Sequence, residues 1–253
     1  MLCSITGLHC RFVSNYLVLL APKNVELGGL PSFTAKRPPS HLVIPELAKA
    51  LAIDISYSLP DNYMRGAGDT YFPGKMLAKL GRIIVIAQEL RDLATTSESN
   101  IPDKSTPGGE DLAKIIRKCK EVKLPTDEEM KNAVDRLRSA VEIWLNGTAV
   151  APFTYDNTWG GLVNCGCWFN GDGCDNVFPN CPSYEDPGLN FGNGFYNDHH
   201  FHYGYHIYAA AVVAQYDNDW GRRYFEHVLL FIRDIANPSV NDVYFPVFRQ
   251  KDW

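Results

Sequence analysis

No apolar run in this chain approaches the roughly 18 residues that a membrane-spanning helix requires, and no block of Lys and Arg stands out. Lys and Arg number 24 against 29 Asp and Glu, giving a formal net charge of −5 and a pI near 5.8. Nucleic acid and membrane surfaces are therefore not expected partners, because both select for clustered cations. A C-x2-C pair, the usual mark of a structural zinc site, is also missing. Two long stretches lack any sustained hydrophobic period. Residues 1–60 read as an irregular segment punctuated by Pro22, Pro31, Pro38, Pro39 and Pro45, with one short helix expected over 45–52. A leader-like apolar run at 16–21 is short, and Arg11 lies well inside the opening residues, so no secretory leader is read there. Residues 148–198, rich in Gly, Asn and Asp, read as a long loop, and such loops usually carry function.

At 253 residues and 45% hydrophobic, the chain can bury a sizeable core in one or two domains. Cys165, Cys167, Cys174 and Cys181 crowd together, whereas Cys3, Cys10 and Cys119 stand apart. The cluster leaves local disulfides, free thiols or a zinc site open. Met76, Leu77, Leu80, Ile83, Ile84, Ala87 and Leu90 recur at helical spacing and predict a helix over 74–93. A shorter helix follows at 110–119. Thr126-Asp-Glu-Glu129 reads as a capping box that opens a helix with Met130, Ala133, Leu137, Val141 and Trp144 on one stripe, stopped at Asn146-Gly147. Helices are also expected over 198–216 and from about 219 to Asn237-Pro238, before a loop-like tail. The pattern is all-α, with paired helices separated by loops.

The most informative segment is 191–206, FGNGFYNDHHFHYGYH. His199, His200, His202 and His206 crowd around Asp198, threaded with Phe195, Tyr196, Phe201, Tyr203 and Tyr205. Burying so many polar groups is costly unless each finds a partner, so the segment reads as a site. On a helix beginning at Asp198, that residue, His202 and Tyr205 lie one above another, with His199, Tyr203 and His206 in the next row. A plain N-cap is the bland alternative for Asp198, and hydrogen-bonded structural roles for His206 and His227. A helix N-terminus and nearby imidazolium would lower the Asp198 pKa, whereas an acid catalyst needs it raised, by burial among Phe195, Tyr196 and Phe201 or by a second carboxylate. Tyr155, Asp156 and Trp159 form a second aromatic and acidic loop suited to stacking. An intrahelical or surface ion pair is expected for Arg233. A metal site built on Asp198 and its histidines is a weaker reading.

The strings YDNTWGGLV (155–163), FGNGFYNDHHFHYGY (191–205), LFIRDIANPSVND (230–242) and FPVFRQKDW (245–253), with a Y-x-x-G-K helix start at 71–75, resemble glycoside hydrolase family 81, the endo-β-1,3-glucanases, the plant-type branch above all. The resemblance runs in order over 60–253. It implies an incomplete (α/α)6 catalytic domain at 61–253, without the family's leading β-sandwich and later helices. It also implies β-1,3-glucan as the partner, cleavage inside the chain with inversion, no cofactor and no metal. Carried over by position, Asp198 would be the general acid, His202 a sugar contact, and Tyr155, Asp156, Trp159, Tyr203, Tyr205 and Asp252 lining residues. The family's general base is a Glu downstream of the Lys-Asp-Trp string, so the 253 residues are expected to be inactive alone. An extracellular or wall setting is implied, and a glucan-binding role without catalysis is the alternative.

Overall fold

A computed structural model describes residues 3–5, 8–13, 16–20, 40–60, 69–101, 105–170, 173–176 and 178–249. Among these, helix predominates, as expected. Three short strands, β1 (Cys3–Ile5), β2 (Leu8–Val13) and β3 (Tyr16–Leu20), replace part of the irregular stretch expected at the start. β1 and β2 pair antiparallel with Cys3 opposite Cys10. Runs of three to six residues are too short to show a period against a Pro-rich background. No described helix is long and apolar enough to cross a membrane.

The chain forms two compact units. The first comprises Met1–Arg11, Leu19–Tyr57 and Arg82–Val134. Its helix α1 (Ile44–Asp54) has Pro45 in the first turn, where the missing N–H costs nothing. Ile44, Ala48 and Leu51 of α1 are buried, and α1 packs with α3 (Pro107–Glu121), whose Ala113, Ile115, Ile116 and Cys119 are buried in turn. Thr106 Oγ1 accepts from Gly109 N at 3.1 Å to start α3. Burial pushes the Cys119 thiol up to about 11, so it behaves as a small apolar group. The capping box is built as its spacing demands. Thr126 N donates to Glu129 Oε2 at 2.7 Å, and Glu129 N donates to Thr126 Oγ1 at 3.2 Å, opening α4 (Asp127–Leu145).

The second unit comprises Phe12–Val18, Ser58–Gly81 and Asp135–Trp253. Helix α2 (Tyr71–Thr95) starts three residues before the expected position 74, with Asp69 Oδ1 capping it by accepting from Phe72 N at 2.8 Å. The loop expected over 148–198 holds a hairpin instead. β4 (Phe153–Asp156) pairs antiparallel with β5 (Gly161–Asn164), Phe153 facing Asn164 and Asp156 facing Gly161. All four residues of β5 are buried, so it carries no alternation for a sequence reading to find. Short 3-10 turns follow at Pro182–Tyr184 and Leu189–Phe195. Disulfides Cys165–Cys181 and Cys167–Cys174 settle the cysteine alternatives, and with Ala151 they form a small satellite core.

Helices α5 (His199–Tyr216) and α6 (Asn218–Ala236) pack side by side across a one-residue joint. That joint, Asp217, caps α6 by accepting from Trp220 N at 2.9 Å, and its other carboxylate oxygen faces Arg138 Nη1 at 3.3 Å. Trp220 Nε1 donates to Glu142 Oε1 at 2.8 Å, fastening the hairpin to the later turns of α4.

Candidate active site

The segment that enters α5 breaks ordinary backbone rules. Asn190, Phe191, Tyr196 and Asp198 all take positive φ, at 47°, 57°, 64° and 53°, and Gly192 joins them at 78°. Each such L-residue costs roughly 1–2 kcal/mol, less for Asn and Asp, so the surroundings must impose the conformation. They do so through side chains far away in sequence. Asn190 Oδ1 accepts from Thr70 N at 3.0 Å, and Asn190 Nδ2 donates to Asn164 Oδ1 at 3.1 Å. Asn193 Oδ1 accepts from Asn164 N at 2.7 Å, while Asn193 Nδ2 donates to Tyr203 Oη at 3.1 Å. Tyr196 Oη donates to Asp156 Oδ2 at 2.8 Å, which brings the hairpin acid against this turn.

Asp198 sits at the head of α5, part-exposed, and its side chain does not cap the helix. The plain N-cap reading is therefore set aside. Its Oδ2 accepts from Asn197 Nδ2 at 3.3 Å, and the same amide donates to Phe191 O at 2.9 Å. The cover expected from neighbouring rings is thin: Phe195 and Phe201 are about half exposed.

The histidines beside it divide by environment. His199 is fully buried, with Nδ1 2.6 Å from Asp234 Oδ2 and Nε2 2.8 Å from Asn193 O. His202 is buried too, its Nδ1 2.7 Å from Thr70 Oγ1 and its ring packed by Tyr71 and Phe191. Burial first, then the neighbouring His199, pushes His202 down to about 3. His206 donates from Nδ1 to His202 O at 2.8 Å, and burial lowers it to about 4, the structural role expected of it. His227 is exposed against the Tyr224 ring, not hydrogen-bonded in a core as anticipated.

Two of the expected sugar contacts lie below the surface. Tyr203 has no exposed surface; its hydroxyl donates to Leu162 O at 2.7 Å and so holds β5. His202 is 1% exposed and acts from beneath the surface. Tyr155, Trp159 and Tyr205 do reach the surface, Trp159 at 72% exposure on the hairpin turn. Tyr155 Oη donates to Tyr244 O at 2.5 Å, and Tyr205 packs edge-on to Tyr71. Burial raises the pKa of both phenols, so both are neutral donors. Asp252 lies outside the described residues. Ring nitrogens already held by Asp234, Asn193 and Thr70, and cysteines closed into disulfides, leave those groups poorly placed as metal ligands.

Three residues stand in stretches that mix charge, aromatics and glycine in the sequence, but the sequence assigned them no partners. Asp234 is fully buried; its Oδ1 accepts from Leu162 N at 2.8 Å. Arg249 lays its guanidinium 4.0 Å over the Tyr196 ring, donates from Nη2 to Trp159 O and Gly160 O, and places Nη1 3.6 Å from Asp234 Oδ1. Gly161 makes room for this meeting, since a Cβ there would lie 2.6 Å from Asp234 Oδ1. Helical spacing hides Asp234 behind Arg233, which itself pairs in bidentate fashion with Asp242, at 2.8 Å for both bonds, and not within its helix.

Residues 108–253 match the glycosyl hydrolase family 81 C-terminal domain. The primary septum glucan endo-1,3-beta-D-glucosidase of Schizosaccharomyces pombe is 38% identical over 149 residues, 57% of this chain and 13% of that protein. Glucan endo-1,3-beta-D-glucosidase 2 of Saccharomyces cerevisiae is 32% identical over 99% of this chain and 27% of its own length. A glucan endo-1,3-beta-D-glucosidase of Glycine max is 30% identical over 76% of this chain and 21% of its own. A solved family 81 glycoside hydrolase from Clostridium thermocellum is 26% identical, covering 87% of this chain and 23% of that one, with a TM-score of 0.43. The chain thus spans about an eighth to a quarter of the length of these curated relatives.

Proposed function

The chain belongs to glycosyl hydrolase family 81, and from that premise we propose that it supplies the general-acid half of a site that hydrolyses β-1,3-glucan within the chain. Asp198 is the acid that protonates the departing glycosidic oxygen. The observation carrying this reading is a carboxylate raised on a left-handed residue at the head of α5 that spends nothing on capping that helix. A functional group kept away from the bond its position invites is the mark of a site, not of a structural cap.

Trp159, Tyr155 and Tyr205 offer apolar faces to pyranose C–H surfaces, and Asp156 offers a carboxylate to hydroxyls. By resemblance Asp252 joins them. His202, neutral by burial, fixes the floor through Thr70. Bound polymer would cover the part-exposed Asp198 and exclude water from it. Inversion requires a second carboxylate roughly 6.5–9.5 Å away to activate water. The resemblance places that glutamate after the Lys-Asp-Trp string, so no residue of these 253 is assigned to it. The α5–α6 pair supports an (α/α)6 arrangement, and two disulfides support an oxidising, extracellular or wall setting.

A second reading is glucan binding without cleavage by these residues on their own, favoured by the exposed Trp159 and Phe191. Two assays test both. The 253-residue polypeptide should bind laminarin and release no reducing ends; robust turnover would show that a base lies within it. The natural full-length protein should release product first in the α-anomeric form by proton NMR. A β-anomer would overturn inversion, and failure to act on laminarin would overturn the substrate.

A further inference from the structure

Both ring nitrogens of His199 face oxygens that can only accept a hydrogen bond while Asp234 is ionised, the form favoured by Leu162 N on its Oδ1 and the Arg249 guanidinium nearby. Nδ1 lies 2.6 Å from a carboxylate oxygen of Asp234, and Nε2 lies 2.8 Å from the carbonyl of Asn193. A neutral imidazole carries one N–H and would press a lone pair against one of these acceptors. We propose that His199 is a buried imidazolium paired with Asp234, and that this pair positions Asp198, the next residue in the chain, by fastening the left-handed turn to α6. The positioning half rests on the general-acid reading; the charge state does not.

The surroundings fit a permanent pair. His199 and Asp234 are both inaccessible to solvent, and an ion pair survives there only if its remaining valences are met. Asp234 has Leu162 N on Oδ1 and the Arg249 guanidinium at 3.6 Å. The imidazolium lies against two tilted rings, Tyr203 with centroids 4.5 Å apart and Tyr196 at 5.0 Å. Tyr203 and Tyr196 both have pKa values pushed up, first by burial, so neither competes as an anion. His202, one turn on, is held neutral partly by the positive charge on His199. These groups come from the turn, α5, α6, β5 and the tail, and each is consistent with a charged His199. Asn193 O also accepts from Tyr196 N at 3.0 Å, which ties the imidazolium to the residue two before Asp198.

Asp234→Asn makes a specific change. Leu162 N still requires an oxygen, so the new amide nitrogen must face Nδ1, which can then only accept. His199 should lose its Nδ1 proton and keep its Nε2 proton. Two-bond proton–nitrogen NMR of histidine-labelled natural full-length protein reads this directly. In the parent near pH 7, His199 should show two protonated nitrogens, and His202 and His206 one each. A single protonated nitrogen on His199 would overturn the charge assignment. In Asp234→Asn, kcat on laminarin should fall roughly 10- to 100-fold with KM little changed. Unchanged kcat with the proton lost would overturn positioning while leaving Asp198 as the acid. If that variant does not fold, His199→Gln, whose amide nitrogen can serve one acceptor while its oxygen opposes the other, should give the same kcat loss; full activity there overturns positioning equally. Should Asp198→Asn stay active while the parent spectrum shows the imidazolium, the general-acid reading fails and the pair stands.

Discussion

Thr126 and Glu129 start helix α4 by exchanging hydrogen bonds across three residues, whereas the segment from Asn190 to His199 draws its partners from Thr70, Asn164, Asp156 and Asp234. The first stretch has low-energy backbone and a solvent-exposed cap. The second holds four non-glycine residues at positive φ by buried side-chain bonds. Local rules make scaffolding, and long-range polar bonds make the place where chemistry can be presented. The difference also sets how each region fails: the helix should tolerate loss of one bond, and the turn should not.

Removing Asp234 altogether should do the most damage. Asp234→Ala leaves the His199 imidazolium and Leu162 N buried without their acceptor, a change worth about 3–5 kcal/mol. Urea or thermal unfolding measures it; a loss under 1 kcal/mol, the level of an exposed pair, would mean the network does not hold the turn.

Acid should act next, through the other two buried histidines. Their folded pKa values, about 3 for His202 and about 4 for His206, lie below the ordinary 6.5. Between those values the unfolded chain binds more protons, so stability is full above about pH 6.5 and falls as pH drops toward 4, by at most about 1.4 kcal/mol per pH unit for each histidine. Melting temperature followed across that window should decline, and His206→Phe should flatten the slope. A flat parent profile would refute the burial assignment.

The mildest change is Glu129→Ala, which removes half the capping box and should cost about 0.5–1 kcal/mol. Because its effect is local, the histidine spectra should not move. A shift in His199 would show that the two regions are coupled after all.

What could be read in the sequence follows the same division. The stripe of α4, its capping box and the Asn146-Gly147 stop were legible because neighbours three and four residues apart decide them. So was the start of α5 at about Asp198, where the helical pattern resumes. The hairpin was hidden because β5 is buried on both faces, and the cysteine pairing because spacing alone permits several. The partners of Asp234, Arg249 and the left-handed turn were hidden for a deeper reason. Their roles depend on contacts spanning tens of residues, from Leu162 to Asp234 and from Trp159 to Arg249. Tyr203 and His202, given as sugar contacts by resemblance, lie on the covered face of α5, and a match of residues by position does not say which face is covered.

Asp198→Asn in the natural full-length protein tests the assigned acid most directly, since Asn adopts the left-handed conformation as readily and leaves the turn intact. Turnover of laminarin should drop by about 10²–10⁴-fold with binding retained. Turnover within a few-fold of the parent, with the variant folded and still binding, would contradict the assignment.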